Sequence, residues 1–136
     1  MSFLTVCVDA SLIVRLLTSN NFNSPYDKQW NKWLETNCSV VSPTLIYYEV
    51  TNAIYKYSKA GQITTAEATA LLETALNLGI IVYDDGELHK QALEITQCYN
   101  LPATYDAHYL ALAKRLNIEL WTADQRLFNG VNSSLS

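Results

Sequence analysis

The fold is decided by the stretch YDAHYLALAKRLNIELWTAD, residues 105–124. Residues 105–116 are apolar on nearly every side, a pattern that predicts a helix buried in the protein rather than one laid on its surface. Asn117 supplies a helix stop, and residues 118–121 are then an apolar segment long enough for one strand. The stretch therefore predicts a helix followed by a strand, both inside the protein.

The rest of the chain repeats this alternation of short strands and longer helices. Strands are predicted at residues 3–8, 38–42, 80–83 and 118–121, and helices at 10–18, 26–36, 43–61, 64–79, 84–100 and 105–116. Such alternation favours an α/β fold with a central parallel sheet of four to five short strands and helices on both faces. With 136 residues, of which 49% are hydrophobic, the chain is expected to form one domain over residues 1–136. Residues from about 130 to 136 are expected to form a loose polar tail.

Composition argues against several classes of protein. The sequence pI of 5.0 and formal charge of -4 argue against a protein that holds nucleic acid by overall basicity. The N-terminus lacks the features of a secretory signal, and no apolar run approaches the roughly 20 residues of a membrane span. We therefore expect a cytoplasmic protein without a membrane segment. The three cysteines are widely spaced, which favours small buried hydrophobes over zinc or thiol chemistry.

Most of the thirteen acidic residues have simple structural explanations, such as helix capping by Asp84. Four others differ because apolar sequence surrounds them: Asp9, Glu49, Asp106 and Asp124. Asp9 and Asp124 follow predicted strands, which places both at the carboxyl edge of the sheet, where open α/β folds bind ligands. Glu49 shares a helix face with residues that should pack inward. We therefore expect these acids near the edge of the core.

Taken singly, these acids have ordinary explanations, since Asp9 and Asp106 both start helices and caps are common there. Together they are harder to explain as structure. Carboxylates gathered at one sheet edge would repel one another and raise some of their pKa values unless divalent cations neutralised them. Oxygen ligands without histidine or cysteine favour Mg²⁺ or Mn²⁺ over Zn²⁺.

Four motifs resemble those of a known family. They are VDASLIVRLL at residues 8–17, YEVTNA at 48–53, YDAHYLALA at 105–113 and TADQRL at 122–127. In this order they cover almost the whole chain and resemble PIN-domain ribonucleases, most closely the small bacterial toxins of the VapC type. The resemblance implies a PIN-like three-layer α/β/α fold and a metal-dependent endoribonuclease. It also implies an RNA substrate and a cognate antitoxin protein.

The same resemblance implies that Asp9, Glu49, Asp106 and Asp124 bind the metal and that Thr122 accompanies Asp124. The implied chemistry is hydrolysis of a phosphodiester bond by a metal-activated water, without a protein nucleophile. We expect Asp9 and Asp106 to hold the principal magnesium ion. Glu49 and Asp124 would complete the site, and Thr122 would hydrogen-bond one of the ligands.

Contacts with RNA and with other proteins are less strongly indicated. Arg15, Lys56 and Arg126 are placed near the predicted site and could meet phosphates, although solubilising charges are the more common explanation. Aromatic residues at helical spacing are interpreted mainly as core and as a homodimer or antitoxin surface; they are Trp30, Trp33, Tyr47, Tyr48, Tyr55 and Tyr57. For His108, packing or a local hydrogen bond is favoured over general-base work.

Two alternatives come from other classes of protein. A phosphoacceptor receiver domain is also a small parallel α/β protein, but it needs paired acids after the first strand, where this chain has Val8, Asp9 and Ala10. A catalytically silent PIN-fold protein, serving as a protein or RNA binding module, is the second alternative. Metal-dependent cleavage of RNA would separate the enzyme from this module.

Overall fold

The structure, a computed structural model, describes residues 4–19 and 23–127. The strands are β1 (Thr5–Val8), β2 (Ser39–Pro43), β3 (Ile81–Tyr83) and β4 (Glu119–Trp121). The helices are α1 (Ala10–Thr18), α2 (Pro25–Glu35), α3 (Leu45–Lys59), α4 (Thr65–Leu76), α5 (Gly86–Tyr99) and α6 (Tyr105–Leu116). The strands form one sheet in the order β3-β2-β1-β4, and every pairing is parallel. The predicted α/β fold with a parallel sheet is confirmed, with four strands in the described part of the chain.

Alternate residues of β1 face opposite sides of the sheet, as the two-residue period of a strand requires. Val6 and Val8 are buried in a cluster to which α1, α2, α3 and α4 contribute. Cys7, between them, is buried in a second cluster with residues of α5 and α6. Helices therefore cover both faces, which is the predicted three-layer arrangement.

The sheet has a switch point at β1. From β1 the chain adds β2 and then β3 on one side, and later returns to place β4 on the other side. The residue pairs Val6 with Val40 and Val8 with Trp121 show β1 between its two neighbours. A crevice at the carboxyl ends of β1 and β4 is where this topology places a ligand site.

Local signals fix several helix ends. Thr64 and Glu67 form the predicted capping box at the start of α4, with backbone-to-side-chain distances of 3.0 Å in both directions. Asn117 ends α6 with a positive φ of 54°, a left-handed conformation that asparagine tolerates. These two predictions are confirmed.

Two boundary predictions are wrong. Asp85, not Asp84, caps α5, because its carboxylate accepts a hydrogen bond from Leu88 N at 2.8 Å. Pro43 does not open a helix but ends β2, and α3 begins at Leu45. Pro43 removes little from the ladder, because Thr44 N bonds to Tyr83 O of β3 at 3.0 Å and the register of β2 with β1 already ends at Val41.

The cysteine interpretation holds for one residue of three. Cys7 is fully buried, and burial raises the pKa of its thiol to about 12, so it behaves as a small hydrophobe. Cys38 is half-buried and Cys98 is exposed on α5, so the prediction that all three are buried is wrong.

Some predictions concern the ends of the chain. Residues 125–127 are helical, as predicted for a last short turn. The predicted strand start at Phe3 and the loose tail at 130–136 lie outside the described residues. Among the helices that the structure describes, none has the length and apolar character needed to cross a membrane.

Candidate active site

The crevice beside β1 and β4 brings distant parts of the chain together. Asp9 directly follows β1, and residues 122–124 directly follow β4. The backbone nitrogen of Asp9 donates a hydrogen bond to the carbonyl oxygen of Trp121 at 3.3 Å, which continues the pairing of the two strands. Asp9 and Asp124 therefore lie at the same edge of the sheet, as the sequence predicted.

Asp9 is buried, with 4% of its surface exposed, and its carboxylate is held from three directions. Oδ1 accepts hydrogen bonds from Ser11 Oγ at 2.7 Å and from Leu12 N at 3.1 Å, so Asp9 caps α1. Oδ2 accepts a hydrogen bond from Thr122 Oγ1. Burial raises the pKa of Asp9, the hydrogen bonds oppose that rise, and the charge of Asp124 adds to it.

Ser11 and Thr122 connect the start of α1 to the loop after β4. Their hydroxyl oxygens lie 3.2 Å apart. The backbone nitrogen of Ala123 donates to Ser11 Oγ at 3.0 Å, and that of Asp124 donates to Thr122 Oγ1 at 3.0 Å. Thr122 thus bonds to the side chain of Asp9 and to the backbone of Asp124. The two hydroxyls hold the two aspartates in a fixed relation.

Glu49 reaches the crevice from α3 and is half-buried. Its Oε1 accepts a hydrogen bond from the Tyr109 hydroxyl at 2.5 Å. Tyr109 comes from α6 and is 1% exposed, so it ties α3 to α6 from inside the core. Burial raises the pKa of Glu49, the bond from Tyr109 opposes the rise, and the charges of Asp106 and Asp9 add to it.

Asp106 lies in the first turn of α6, where the helix dipole favours a negative charge. Partial desolvation nevertheless raises its pKa, and the charges of Asp124 and Asp9 raise it further, while Arg126 opposes the rise. Asp124 Oδ1 accepts backbone hydrogen bonds from Arg126 at 2.9 Å and Leu127 at 3.4 Å, which starts the helical turn at 125–127. Charge interactions therefore link Asp9 and Asp106 to each other and each of them to both Glu49 and Asp124.

Three of the acids, Glu49, Asp106 and Asp124, line a groove of about 980 Å³. In residues 4–19 and 23–127, no three His, Cys, Asp or Glu side chains are grouped closely enough to form a ready-made metal site. The donor chemistry still fits a hard cation, because every candidate ligand is a carboxylate oxygen. Burial is the main cause of the raised pKa values of Asp9, Glu49 and Asp106, and repulsion between the acids adds to it. A divalent cation would offset both effects.

The predicted phosphate contacts separate into two groups. Arg126 lines the groove, and its side chain is 95% exposed, with Nε 3.8 Å from Asp124 Oδ1. Lys114, which the sequence analysis did not single out, lines it too. Arg15 and Lys56 lie in the last turns of α1 and α3, and neither is among the described residues that line the groove. Lys56 follows Glu49 by seven residues, about 10 Å along the helix, and its contact with a phosphate, like that of Arg15, stays a prediction.

The predictions for histidine and for the aromatic residues have mixed outcomes. His108 bonds locally, with Nδ1 at 2.7 Å from the carbonyl oxygen of Thr104 and Nε2 at 2.8 Å from Nδ1 of His89, as predicted. Trp30 and Trp33 are buried and pack edge to face in the core. Tyr48 and Tyr55 are instead exposed on α3. They are surface residues, not core.

Two residues of the site were missed by the sequence analysis. Ser11 had a weak local signal, since it lies in the first turn of the helix that Asp9 caps, within reach of the capping carboxylate. Tyr109 follows Asp106 by three residues on one helix face, which hinted at the same location. Its contact with Glu49 spans 60 positions of sequence, so local pattern alone did not indicate it.

Fold and site together define a class of small parallel α/β proteins that carry a cluster of carboxylates at the switch point of the sheet. Residues 6–132 match the family model of the PIN domain, and the chain belongs to the PIN domain family.

Individual relatives agree with this assignment. The chain is 27% identical over 122 residues to Ribonuclease VapC3 of Pyrobaculum aerophilum. The aligned region covers 88% of this chain and 89% of that protein. It resembles the crystal structure of PAE2754 from Pyrobaculum aerophilum, with 24% identity, a TM-score of 0.69, and coverage of 95% of this chain and 87% of that chain. It also resembles the crystal structure of Mycobacterium tuberculosis VapC20, described as a sarcin-ricin loop cleaving toxin. The identity is 16% and the TM-score is 0.64, and the match covers 91% of this chain and 93% of that chain. The predicted resemblance to VapC-type PIN proteins is confirmed, and the two solved structures show a shared fold.

Proposed function

We propose that this chain is a metal-dependent endoribonuclease and the toxin of a toxin-antitoxin pair. The observation that carries the proposal is the position of Asp9, Glu49, Asp106 and Asp124 at the switch point of the sheet, where Asp9 and Asp106 interact with each other and with the other two acids. The name of the relative VapC3, a ribonuclease, and the description of VapC20 as a sarcin-ricin loop cleaving toxin support the choice of substrate. Mg²⁺ or Mn²⁺ is the proposed cofactor, because the ligands are hard oxygens.

In this proposal Asp9 and Asp106 hold the principal cation, and Asp124 and Glu49 complete the site, with Glu49 acting on the water rather than as a ligand of that cation. When bound, the cation would supply an activated water and neutralise charge on the phosphate. The chain's own residues orient these ligands. Ser11 and Thr122 keep the Asp9 carboxylate in one rotamer. Asp9 therefore does not have to change conformation when substrate binds.

Glu49 is the proposed proton acceptor for the attacking water. It is half-buried and has a raised pKa, which makes it a better base than an exposed glutamate. The hydrogen bond from Tyr109 fixes its orientation. The exposed guanidinium of Arg126 lies beside Asp124, and in this proposal it would contact a phosphate of the RNA.

The test is cleavage of single-stranded RNA by the purified full chain with Mg²⁺, with Mn²⁺ and with EDTA. Asp9→Asn and Asp106→Asn should abolish metal-dependent cleavage while leaving the circular dichroism spectrum unchanged. Asp84→Asn is the matched control, because Asp84 also follows a strand at the carboxyl end of the sheet but is exposed and away from the switch point. Retained activity in either Asp9→Asn or Asp106→Asn would overturn the site assignment. Absence of cleavage by the unsubstituted chain would favour the catalytically silent binding module.

The proposed partner is a cognate antitoxin with a basic segment, which an acidic groove on an acidic protein would attract. A short gene for a DNA-binding protein directly upstream would support this assignment, and co-purification of its product with the chain would test it. Homodimerisation, a cytoplasmic location and single-domain organisation over residues 1–136 stay predictions.

A further inference from the structure

Tyr105 is an exposed aromatic residue at the edge of the candidate active site. It is the first residue of α6, directly before Asp106, and 61% of its surface is exposed. It lines the same groove as Glu49, Asp106 and Asp124. An exposed tyrosine ring beside a carboxylate cluster offers a flat apolar surface where a substrate would enter.

The groove has two chemically different parts. Glu49, Asp106 and Asp124 form one part, with Arg126 close to Asp124. Beyond them the groove has an apolar wall, which we define as Tyr99, Leu101, Pro102, Tyr105, Leu110 and Ile118. Carboxylates that bind a cation suit a phosphate, and an apolar wall with an aromatic ring suits the base attached to the neighbouring sugar.

We propose that the apolar wall is a subsite for an unpaired nucleobase of the RNA substrate, with the Tyr105 ring as its stacking surface. The inference rests on the proposed function and assigns to named residues of this chain the contact with a base beside the cleavage site. In a duplex each base is already stacked and its face is covered, so Tyr105 can be used only by a single strand, a loop or a bulge.

RNA is the occupant that the continuity of the groove favours. The apolar wall and the acids belong to one groove, and Lys114 and Arg126 line it as well. Cations beside an aromatic surface match the alternation of phosphates and bases along a single strand. A protein with a formal charge of -4 also gains little from general attraction to phosphates, so stacking is a source of affinity that does not depend on basicity.

The first experiment measures binding of a fluorescent single-stranded RNA decamer by anisotropy, in full-length chain carrying Asp9→Asn to prevent cleavage. Adding Tyr105→Ala should raise Kd about 5- to 100-fold, the range that loss of one stacked base gives. Tyr105→Phe and Tyr105→Trp should stay within about twofold of the parent, since each keeps an aromatic face. Binding of the same decamer in a perfect duplex should not change in any of these variants.

Tyr48→Ala is the matched control. Tyr48 is 75% exposed and directly precedes Glu49, as Tyr105 directly precedes Asp106, but it does not line the groove. Its replacement should leave the Kd for the decamer unchanged. Equal weakening by Tyr48→Ala and Tyr105→Ala would overturn the subsite, because it would show unspecific attraction to exposed tyrosines.

One further outcome would also overturn the subsite. It is an unchanged Kd in Tyr105→Ala, whatever the melting temperature of that variant.

The failure of this inference is distinguishable from the failure of the proposed function. Cleavage by the chain with Asp9 intact is measured separately, with and without Mg²⁺. If that chain cleaves RNA and Tyr105→Ala binds RNA normally, the subsite is wrong and the ribonuclease stands. If that chain does not cleave and Tyr105→Ala weakens binding, the enzyme is wrong and the subsite stands.

Discussion

Replacing Asp9 by asparagine should separate the charge of this residue from its role as a helix cap. Asparagine caps a helix about as well as aspartate, and it has nearly the same volume. The amide oxygen can accept from Leu12 N, and the amide nitrogen can donate to the hydroxyl of Thr122. The variant therefore keeps the fold and loses the negative charge that a cation needs.

The sign of the stability change follows from the raised pKa of Asp9. Since the folded state raises this pKa above the unfolded value of about 3.9, ionisation opposes folding at every pH above that value. Stability of the metal-free protein should consequently fall as pH rises from acid towards neutral, and Asp9→Asn should flatten this fall. At pH 7, without metal, the melting temperature of Asp9→Asn should equal or exceed that of the unsubstituted chain.

Asp9→Ala gives the contrast in magnitude. It removes the cap of α1, which costs about 1 kcal/mol. It also removes the acceptor of the hydroxyls of Ser11 and Thr122; these lie 3.2 Å apart and one can donate to the other, so one bond is lost, at a cost of roughly another 1 kcal/mol. Relative to Asp9→Asn, which removes the same charge, the expected loss is about 2 kcal/mol, or roughly 7 °C in melting temperature for a chain of this size.

The assay is thermal unfolding followed by circular dichroism between pH 4 and pH 8, with EDTA and with Mg²⁺. A Mg²⁺ concentration a hundredfold above Kd should stabilise the unsubstituted chain by about 2.7 kcal/mol and should stabilise Asp9→Asn far less. If Asp9→Asn is destabilised in EDTA as strongly as Asp9→Ala, asparagine does not replace the cap as stated. If Mg²⁺ stabilises Asp9→Asn as much as the unsubstituted chain, the charge of Asp9 does not bind the cation.

Three further perturbations test other contacts. Tyr109→Phe removes a hydrogen bond that lowers the pKa of Glu49, so the pKa of Glu49 should rise and the acid limb of the pH-rate profile should move to higher pH. An unmoved acid limb would rule out Glu49 as the base. Ser11→Ala should weaken Mg²⁺ binding about tenfold in isothermal titration calorimetry, and Ser11→Thr should restore it; equal binding in all three proteins would show that the hydroxyl does not position the ligands. Hydrogen bonds from Arg115 lower the pKa of Asp85 to about 2, so this pair stabilises the fold above about pH 4 and stops doing so as pH falls through about 2. Arg115→Ala should return the Asp85 pKa towards its ordinary value in an NMR titration, and an unchanged value would contradict the assigned cause.

Sequence pattern determined the features that depend on neighbours along the chain. The apolar helix at 105–116, its stop at Asn117 and the capping box at Thr64 are set by contacts within a few residues, and the structure has all three. The sheet edge that holds Asp9 also followed from sequence, because a residue directly after a parallel strand must lie at its carboxyl end. Local order was enough for these conclusions.

Tertiary structure decided what depends on the order of the strands and the packing of helices. Two adjacent aspartates follow β3, and the sequence pattern predicted that Asp84 caps α5. The structure uses Asp85, whose carboxylate also takes two hydrogen bonds from Arg115 on α6. An ion pair with a residue 30 positions away was not visible in the local pattern.

The candidate site divides in the same way. Sequence identified the four acids one by one, as carboxylates in apolar surroundings, and the family resemblance grouped them. The placement of β4 beside β1 is what lets Thr122 bond to Asp9 across 113 positions, and the packing of α6 near α3 is what lets Tyr109 bond to Glu49. Hydrogen bonds of this kind require two side chains to meet within about 3 Å, and only the folded chain fixes distances on that scale between residues so far apart in sequence.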